Sequence, residues 1–250
     1  MRETEYKLNK SCFPKKICVA LVADLHSQSP DAVIASLKRR KPDYILMPGD
    51  IFELIDGTMD GYNENGFKLM KAASEIAPAF YSIGNHENGG TGSWKPGWSK
   101  KTGKMRFPSK NNIERISKCG VTLLDDGFVL RDGIVFGGVT SGLSNDKHEP
   151  NVDWLDEFCS VSAPKILLCH HPEYYDEYLK DKKIDLIVSG HAHGGQWRIF
   201  GRGVYAPGQG IFPKYTAGVH DGRFVISRGI KVSPVIPRIF NPPEVVYISF

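Results

Sequence analysis

Five short apolar segments of this chain each run directly into a loop that carries aspartate, asparagine or histidine. The segments are rich in valine, isoleucine and leucine, which is typical of buried strands. They cover residues 17–23, 44–47, 79–83, 165–169 and 186–189. In open α/β sheets, ligand-binding groups lie at the carboxyl ends of the strands. The five polar loops are therefore expected to meet at one place in the folded chain.

The segments between the first strands predict helices. One helix is expected over residues 29–40, with Pro30 suited to its first turn, and another over residues 64–77. Helices that alternate with strands favour parallel crossover connections. The sequence therefore predicts a mixed α/β architecture with more than one sheet.

The later part of the chain carries turn signals. Residues 121–139 have hairpin character, with Asp-Gly pairs at 126–127 and 132–133 as the turns. From Trp197 onward, glycine and proline interrupt short predicted strands. The length of 250 residues suits one large domain, and no repeat or low-complexity linker divides it. We expect a single domain over residues 1–250.

The candidate site residues are concentrated in the five polar loops. Six of the eight histidines lie there, which accidental scatter does not explain: His26, His86, His170, His171, His191 and His193. Of the other two, His148 is interpreted as a surface residue and His220 has no assigned role. Seven side chains are candidate metal ligands: Asp24, His26, Asp50, Asn85, His170, His191 and His193.

These ligand types suit borderline divalent ions such as Mn²⁺, Fe²⁺ or Zn²⁺. The five cysteines have no CxxC spacing, which argues against a zinc-thiolate site and against a disulfide framework. Seven ligands are too many for one ion. They fit two ions that share a carboxylate, as in two-metal hydrolytic sites.

The ordered motifs DxH (24–26), GD (49–50), GNHE (84–87), H (170) and GHxH (190–193) resemble the calcineurin-like metallophosphoesterase superfamily. The finer sequences GHAHGGQ and YAPGQGIFPKYTAGVH resemble its bacterial branch of YkuE/YaeI-type phosphodiesterases. The resemblance covers about residues 17–240. It implies a four-layer αββα sandwich with two mixed β-sheets, the calcineurin-like metallophosphoesterase fold.

The resemblance also implies a role for each ligand. Asp24, His26 and His193 would hold a first metal ion. Asp50 would bridge to a second ion, whose remaining ligands are Asn85, His170 and His191. His86 would be catalytic, and a hydroxide bridging the metals would be the nucleophile. The implied activity is a phosphohydrolase, either a phosphodiesterase or a pyrophosphate hydrolase.

Three neighbouring residues have less specific roles. Adjacent side chains of an extended segment point to opposite faces, so only one of His170 and His171 should reach the metals. The family pattern selects His170, and His171 is left as either a support for a ligand or a structural residue. Glu53 either orients a histidine ligand or is a solvated carboxylate. Glu87 is expected to have a supporting role.

A basic segment with interleaved aromatics follows the GNHE motif. Residues 88–113 contain six lysines and arginines and no acidic residue, together with Trp94, Trp98 and Phe107. We interpret the segment as a loop insertion. It could bind nucleic acid or a lipid headgroup surface, attract an anionic substrate, or be a solvated loop.

The overall charge selects no partner, because the formal net charge is only +4. A small phosphorylated substrate is expected, with a lipid-linked one as an alternative. Two alternative functions remain: a nuclease of the same superfamily, and a non-catalytic scaffold that retains the fold. The charged N-terminal sequence lacks a signal-peptide region, and no run reaches the ~20 apolar residues of a membrane span. We expect a cytoplasmic protein whose membrane contact, if it makes any, is peripheral.

Overall fold

The computed structural model describes residues 1–9, 12–13, 15–53, 63–87, 110–141, 149–233 and 236–250. Most of the basic segment, residues 88–109, lies outside the described residues, as does His148. The interpretations of these residues therefore stay predictions.

The first sheet has six strands in the order β1-β16-β2-β3-β4-β5. Strands β2 to β5 are parallel neighbours, and β16 is antiparallel to β2 but parallel to β1. The strands are β1 Arg2–Lys7, β2 Cys18–Leu21, β3 Tyr44–Pro48, β4 Ala79–Ser82, β5 Thr122–Leu123 and β16 Glu244–Ser249.

The second sheet has six strands in the order β14-β15-β9-β8-β7-β6. Its four central strands are parallel, and an antiparallel strand lies at each edge. The strands are β6 Gly127–Arg131, β7 Ile134–Val139, β8 Lys165–Cys169, β9 Leu186–Ser189, β14 Gly218–His220 and β15 Phe224–Ile226. Two small hairpins lie between β9 and β14, formed by β10 Arg198–Ile199 with β11 Arg202–Gly203 and by β12 Tyr205–Ala206 with β13 Gly210–Ile211.

Helices cover the outer face of each sheet. Against the first sheet lie α1 Asp31–Arg40, α2 Glu64–Ile76 and α3 Lys110–Lys118. Against the second lie α4 Leu155–Ser160 and a π-helical turn, Tyr175–Leu179. A third apolar cluster joins the two sheets face to face, with Leu46 and Phe80 from the first and Leu168 from the second. The result is a four-layer αββα sandwich, as the family resemblance implies.

The side chains of the central strands point alternately to two buried faces. Val19 and Leu21 of β2 pack between the sheets, whereas Ala20 packs under the helices. Because side chains alternate along a strand, a strand buried on both faces is apolar throughout. The five apolar runs of the sequence therefore correspond to β2, β3 and β4 of the first sheet and to β8 and β9 of the second.

The hairpin prediction for residues 121–139 is only partly right. The pair at 132–133 does connect β6 to β7. The pair at 126–127 does not close a hairpin, because β5 pairs with β4 in the first sheet and β6 belongs to the second. The chain crosses between the sheets there, with Asp126 at a left-handed φ of 46°. A turn signal marks the bend but does not specify which strands pair.

Among the residues that the structure describes, no helix is long and apolar enough to cross a bilayer. The cytoplasmic location stays a prediction.

Candidate metal centre

The loops that follow β2, β3 and β4 meet the loops that follow β8 and β9 at one edge of the sandwich. Hydrogen bonds between the loops fix this meeting. Asp24 Oδ1 accepts the backbone N–H of His191 from the other sheet at 2.9 Å. Asp50 Oδ1 accepts the backbone N–H of His86 at 2.9 Å. All seven candidate ligands lie in this cluster.

Asp24, His26 and His193 form the first group, with one ligand atom of each within 4.8 Å of the others. Nδ1 of His26 lies 2.7 Å from Glu53 Oε2. Burial lowers the pKa of His26 to about 4, so its ring is neutral and donates the Nδ1 proton to Glu53. This leaves a lone pair on Nε2, which is buried and has no hydrogen-bond partner among the described residues. A histidine held in this way is prepared to bind a metal.

Asp50, His170 and His191 form the second group, also within 4.8 Å. The amide oxygen of Asn85 lies 3.1 Å from His170 Nε2 and 3.0 Å from His191 Nδ1. Nδ1 of His170 lies 2.7 Å from the carbonyl oxygen of Pro48, which orients the opposite nitrogen toward the cluster. Burial alone would lower the pKa of His170, but Asp50 raises it to about 10. The pocket therefore strongly favours positive charge at this position.

Asp50 lies between the two groups. Its Oδ2 is 3.5 Å from His26 Nε2 and 3.1 Å from His170 Nε2. Within the described part of the chain, Oδ2 of Asp50 and Oδ2 of Asp24 are both buried without a hydrogen bond. Burial raises the pKa of Asp24 to about 6, so its charge is costly there and a bound cation would remove that cost, whereas His170 compensates much of the Asp50 charge. The donor set of carboxylate, imidazole and amide oxygen fits a divalent metal.

The backbone of the ligand loops is unusual. Left-handed φ angles occur at five of the seven candidate ligands: Asp24 (53°), His26 (48°), Asp50 (53°), His191 (65°) and His193 (45°). Such residues cost of order 1–3 kcal/mol each and cluster at functional sites. Close approach adds a further constraint at Gly49, where a Cβ atom would lie 2.6 Å from Cα of Gly84. The surrounding packing, not local preference, holds these loops in place.

His86 lies at the rim of the cluster. Its Nε2 is 3.9 Å from Asp50 Oδ2, and 19% of its side chain is exposed. Its Nδ1 lies 2.8 Å from Glu53 Oε1, so Glu53 contacts both His86 and His26. Burial would lower the pKa of His86, but Asp50 and Glu53 together raise it. His86 thus lies at the accessible edge of the site with its charged form favoured, and Glu53 is partly exposed and contacts both histidines.

The two remaining expectations concern Glu87 and His171. Glu87 is fully buried and accepts backbone N–H groups from both the GD loop and its own loop. His171 lies beside the second group, where it contacts Ser141 and Glu173. Its Nε2 lies 2.6 Å from Ser141 Oγ and its Nδ1 lies 3.0 Å from Glu173 Oε1. Its ring packs on His191 at 4.2 Å between centroids, so it supports a candidate ligand.

Several residues near the site were missed by the sequence analysis. Lys231 Nζ lies 3.2 Å from Glu53 Oε2 and 3.3 Å from His26 Nδ1. Arg238 Nη2 lies 3.4 Å from His193 Nδ1. These residues belong to no motif, and only the extent of the family resemblance, to about residue 240, includes them. His220 lies away from the centre, on β14, where its ring packs on Tyr215.

A family model for the calcineurin-like phosphoesterases matches residues 18–195. The chain belongs to this family. The matched region contains all seven candidate ligands and His86, and the family uses divalent metal ions. The resemblance seen in the sequence is confirmed.

Several curated proteins are similar to this chain. YpbG of Bacillus subtilis is 36% identical over 40% of this chain and 34% of its own length. A metallophosphoesterase of Aquifex aeolicus is 25% identical over 100% of this chain and 91% of its own. Phosphodiesterase YaeI of Escherichia coli is 26% identical over 72% of this chain and 62% of its own. The chain thus spans about a third of YpbG and less than two thirds of YaeI.

Proposed function

We propose that this chain is a phosphohydrolase that holds two divalent metal ions, of the Mn²⁺, Fe²⁺ or Zn²⁺ type. The observation that carries this proposal is the position of Asp50. Its Oδ2 faces a histidine of each ligand group, at 3.5 Å from His26 and 3.1 Å from His170. A carboxylate that lies between two groups of metal-ligand side chains is the arrangement that a bridged pair of cations requires.

The first ion would be held by Asp24, His26 and His193, and the second by Asn85, His170 and His191, with Asp50 shared. When bound, the ions would neutralise the negative charge of a phosphate ester and lower the pKa of a water molecule between them. The chain itself supplies orientation. Glu53 and the carbonyl oxygen of Pro48 each accept a hydrogen bond from a ligand histidine and so direct its other nitrogen inward.

His86 would act on the substrate directly. Against the effect of burial, Asp50 and Glu53 raise the pKa of its ring, which favours its protonated form. A protonated imidazole at the rim can stabilise the charge that develops on the phosphate or give its proton to the leaving oxygen. Glu53 fixes the ring by its 2.8 Å contact with Nδ1, which leaves Nε2 free to face the substrate.

A phosphodiester or a pyrophosphate is the proposed substrate class. The name of the related YaeI, a phosphodiesterase, supports the first. A nuclease remains the second candidate, but its sequence support lies mainly in residues outside the described ranges. A non-catalytic scaffold is disfavoured, because such a protein has no need to keep all seven candidate ligands and His86 in one cluster. We also propose that residues 1–250 form one domain, with the insertion at about 88–113.

Metal analysis combined with a diester assay tests the proposal. The purified chain should hold up to two equivalents of transition metal and hydrolyse bis-p-nitrophenyl phosphate. Asp50→Ala should abolish hydrolysis and lower the metal content. An unaltered metal content and rate in this variant would refute the proposed site, whereas hydrolysis of DNA in preference to small diesters would favour the nuclease.

A further inference from the structure

Apolar side chains are exposed on two segments next to the metal centre. We call residues 197–200 and 236–240 the aromatic rim. The backbone N–H of Arg198 donates to the carbonyl oxygen of Ile239 at 3.0 Å, and Trp197 Nε1 donates to the carbonyl oxygen of Pro237 at 3.0 Å. The two segments therefore form one continuous surface. Its exposed apolar side chains are Trp197, Ile199, Phe200, Ile236, Ile239 and Phe240.

Folding does not account for the two phenylalanines of the rim. Phe200 is fully exposed and 84% of Phe240 is exposed, so neither contributes to the core. Both have left-handed backbones, with φ of 48° and 52°, a conformation that is strained for a bulky side chain. Phe200 stands in the two-residue turn between β10 and β11, where asparagine or glycine would be relaxed. Phe200 and Phe240 therefore lower the stability of the isolated chain, and only a contact with another surface would bury them favourably.

The rim is basic as well as apolar. Phe200 and Phe240 line a cavity of 660 Å³ together with Arg2, Arg198 and Arg228. No acidic residue is among the described residues that line it. Glu244, 3.6 Å from Arg228, is fully buried and offsets much of that one charge, so the positive charge of the cavity comes mainly from Arg2 and Arg198. Arg202 is exposed and lies directly opposite Ile199 in the β10–β11 hairpin, so it adds a further positive charge next to the rim.

The rim is joined to the metal centre by hydrogen bonds. Asn241, which follows Phe240, donates from Nδ2 to the carbonyl oxygen of His193 at 2.7 Å. Arg198 Nη1 donates to the carbonyl oxygen of Gly194 at 2.8 Å. A surface that rested on the rim would therefore lie next to the loop of His193.

We propose that the aromatic rim docks this chain on an anionic phospholipid bilayer. Exposed apolar patches of this kind mark protein or membrane contacts. A bilayer fits better here, because the apolar groups project from loop tips and bilayer insertion needs no complementary shape. Arginines beside them would bind lipid phosphates, and tryptophan favours the membrane interface. This docking goes beyond the proposed hydrolase activity and does not depend on it.

Vesicle flotation of the full chain tests the docking. Binding is expected to vesicles of phosphatidylcholine with phosphatidylglycerol, to weaken with salt, and to be much weaker for phosphatidylcholine alone. The double variant Phe200→Asn, Phe240→Asn removes the apolar groups, and asparagine tolerates the left-handed backbone. It should keep or raise the melting temperature while its partition onto anionic vesicles falls at least about tenfold.

A charge-matched pair tests the basic component. Arg2→Gln with Arg202→Gln should weaken binding to the anionic vesicles about tenfold. Lys38→Gln with Lys71→Gln removes the same charge from helices α1 and α2 and should leave binding within about twofold of wild type.

Two results would overturn the docking proposal. One is equal vesicle binding by the wild type and the asparagine double variant. The other is a wild-type dimer in light scattering that becomes monomeric in that variant, which would make the rim a contact between two copies. Either result leaves the hydrolase proposal standing, since that proposal depends on metal content and on hydrolysis of bis-p-nitrophenyl phosphate.

Discussion

Glu87 Oε2 accepts a hydrogen bond from the backbone N–H of Asp50 at 2.9 Å, which ties the loop after β4 to the loop after β3. The same carboxylate accepts the N–H groups of Phe52 and Gly84, both at 2.9 Å. Burial and the nearby Asp50 raise the pKa of Glu87 to about 7, against the lowering effect of these hydrogen bonds. Glu87 therefore positions the backbone of Asp50, which has a left-handed conformation.

We predict that Glu87→Gln lowers the free energy of unfolding by about 1–3 kcal/mol, because an amide NH₂ would face N–H donors that then lose their acceptor. Metal content should fall as well, since Asp50 would be displaced. Urea unfolding and elemental analysis measure the two effects. Glu75→Gln, on the exposed face of α2, is the matched control and should change neither quantity. A normal metal content in Glu87→Gln would mean that Asp50 does not depend on this carboxylate.

Metal removal should destabilise the fold. Asp24 Oδ2 and His26 Nε2 are buried without hydrogen bonds among the described residues, and burial raises the pKa of Asp24 to about 6, so a bound cation would offset the cost of the Asp24 charge. Saturation at a hundred times the dissociation constant contributes about 2.7 kcal/mol. For a chain of this size, chelation should then lower the melting temperature by roughly 5–10 °C. Scanning calorimetry with and without chelator measures this shift.

Asp50→Asn provides the control for that experiment. The variant should show little response to metal, because it lacks the shared carboxylate. In the absence of metal it should melt below the wild type, because, against the effect of burial, His170 and His86 hold the pKa of the Asp50 carboxyl well below its usual range, and the substitution removes these ion pairs. If the metal-free variant were the more stable of the two, the negative charge of Asp50 would not be compensated by the chain alone.

Two variants separate orientation from catalysis. In Glu53→Gln, the single amide oxygen can accept a hydrogen bond from only one of His26 and His86. Metal affinity should therefore fall about 10–100-fold. His86→Asn should keep the wild-type metal content and lose about 10²–10⁴-fold in rate, because only the proposed acid is removed. Metal titration and steady-state kinetics on bis-p-nitrophenyl phosphate measure both. Equal metal loss in the two variants would identify His86 as a ligand.

The core of the fold and the composition of the site could be predicted because both are encoded locally. Strands β2, β3, β4, β8 and β9 are buried and each ends at a motif, so strand, loop and ligand are adjacent in sequence. The edge strand β1 has no such signal. Its sequence RETEYK is mostly charged, and it forms a strand because β16, from the other end of the chain, pairs with it in parallel.

The same reasoning explains the site residues that were missed. Lys231 and Arg238 reach the centre from the segment between β15 and β16, whose described residues form no strand. Their positions depend on long-range contacts such as that between Lys231 N and the carbonyl oxygen of Asp24, at 2.7 Å. The left-handed conformations of His26 and His193 are also imposed by tertiary packing, since histidine has only a modest local preference for them.

Asp126 offers a test away from the metal centre. Its Oδ1 accepts the backbone N–H of Thr140 at 2.9 Å, where the chain passes between the sheets. Burial raises the pKa of this carboxyl from 3.8 to about 6, and the neighbouring Asp125 contributes to the rise. The folded state therefore binds more protons than the unfolded state between these two values, so this group lowers stability as the pH rises through that interval.

We predict that Asp126→Asn raises the free energy of unfolding by about 1 kcal/mol above about pH 7, a value that discounts the pKa shift because the side chain is partly exposed. The amide oxygen can still accept from Thr140. The gain should shrink as the pH falls below about 6 and vanish near about 4. Urea unfolding across this range measures it, with Asp132→Asn, another left-handed turn aspartate, as the control. A gain that is constant with pH would trace the effect to the backbone and not to the buried charge.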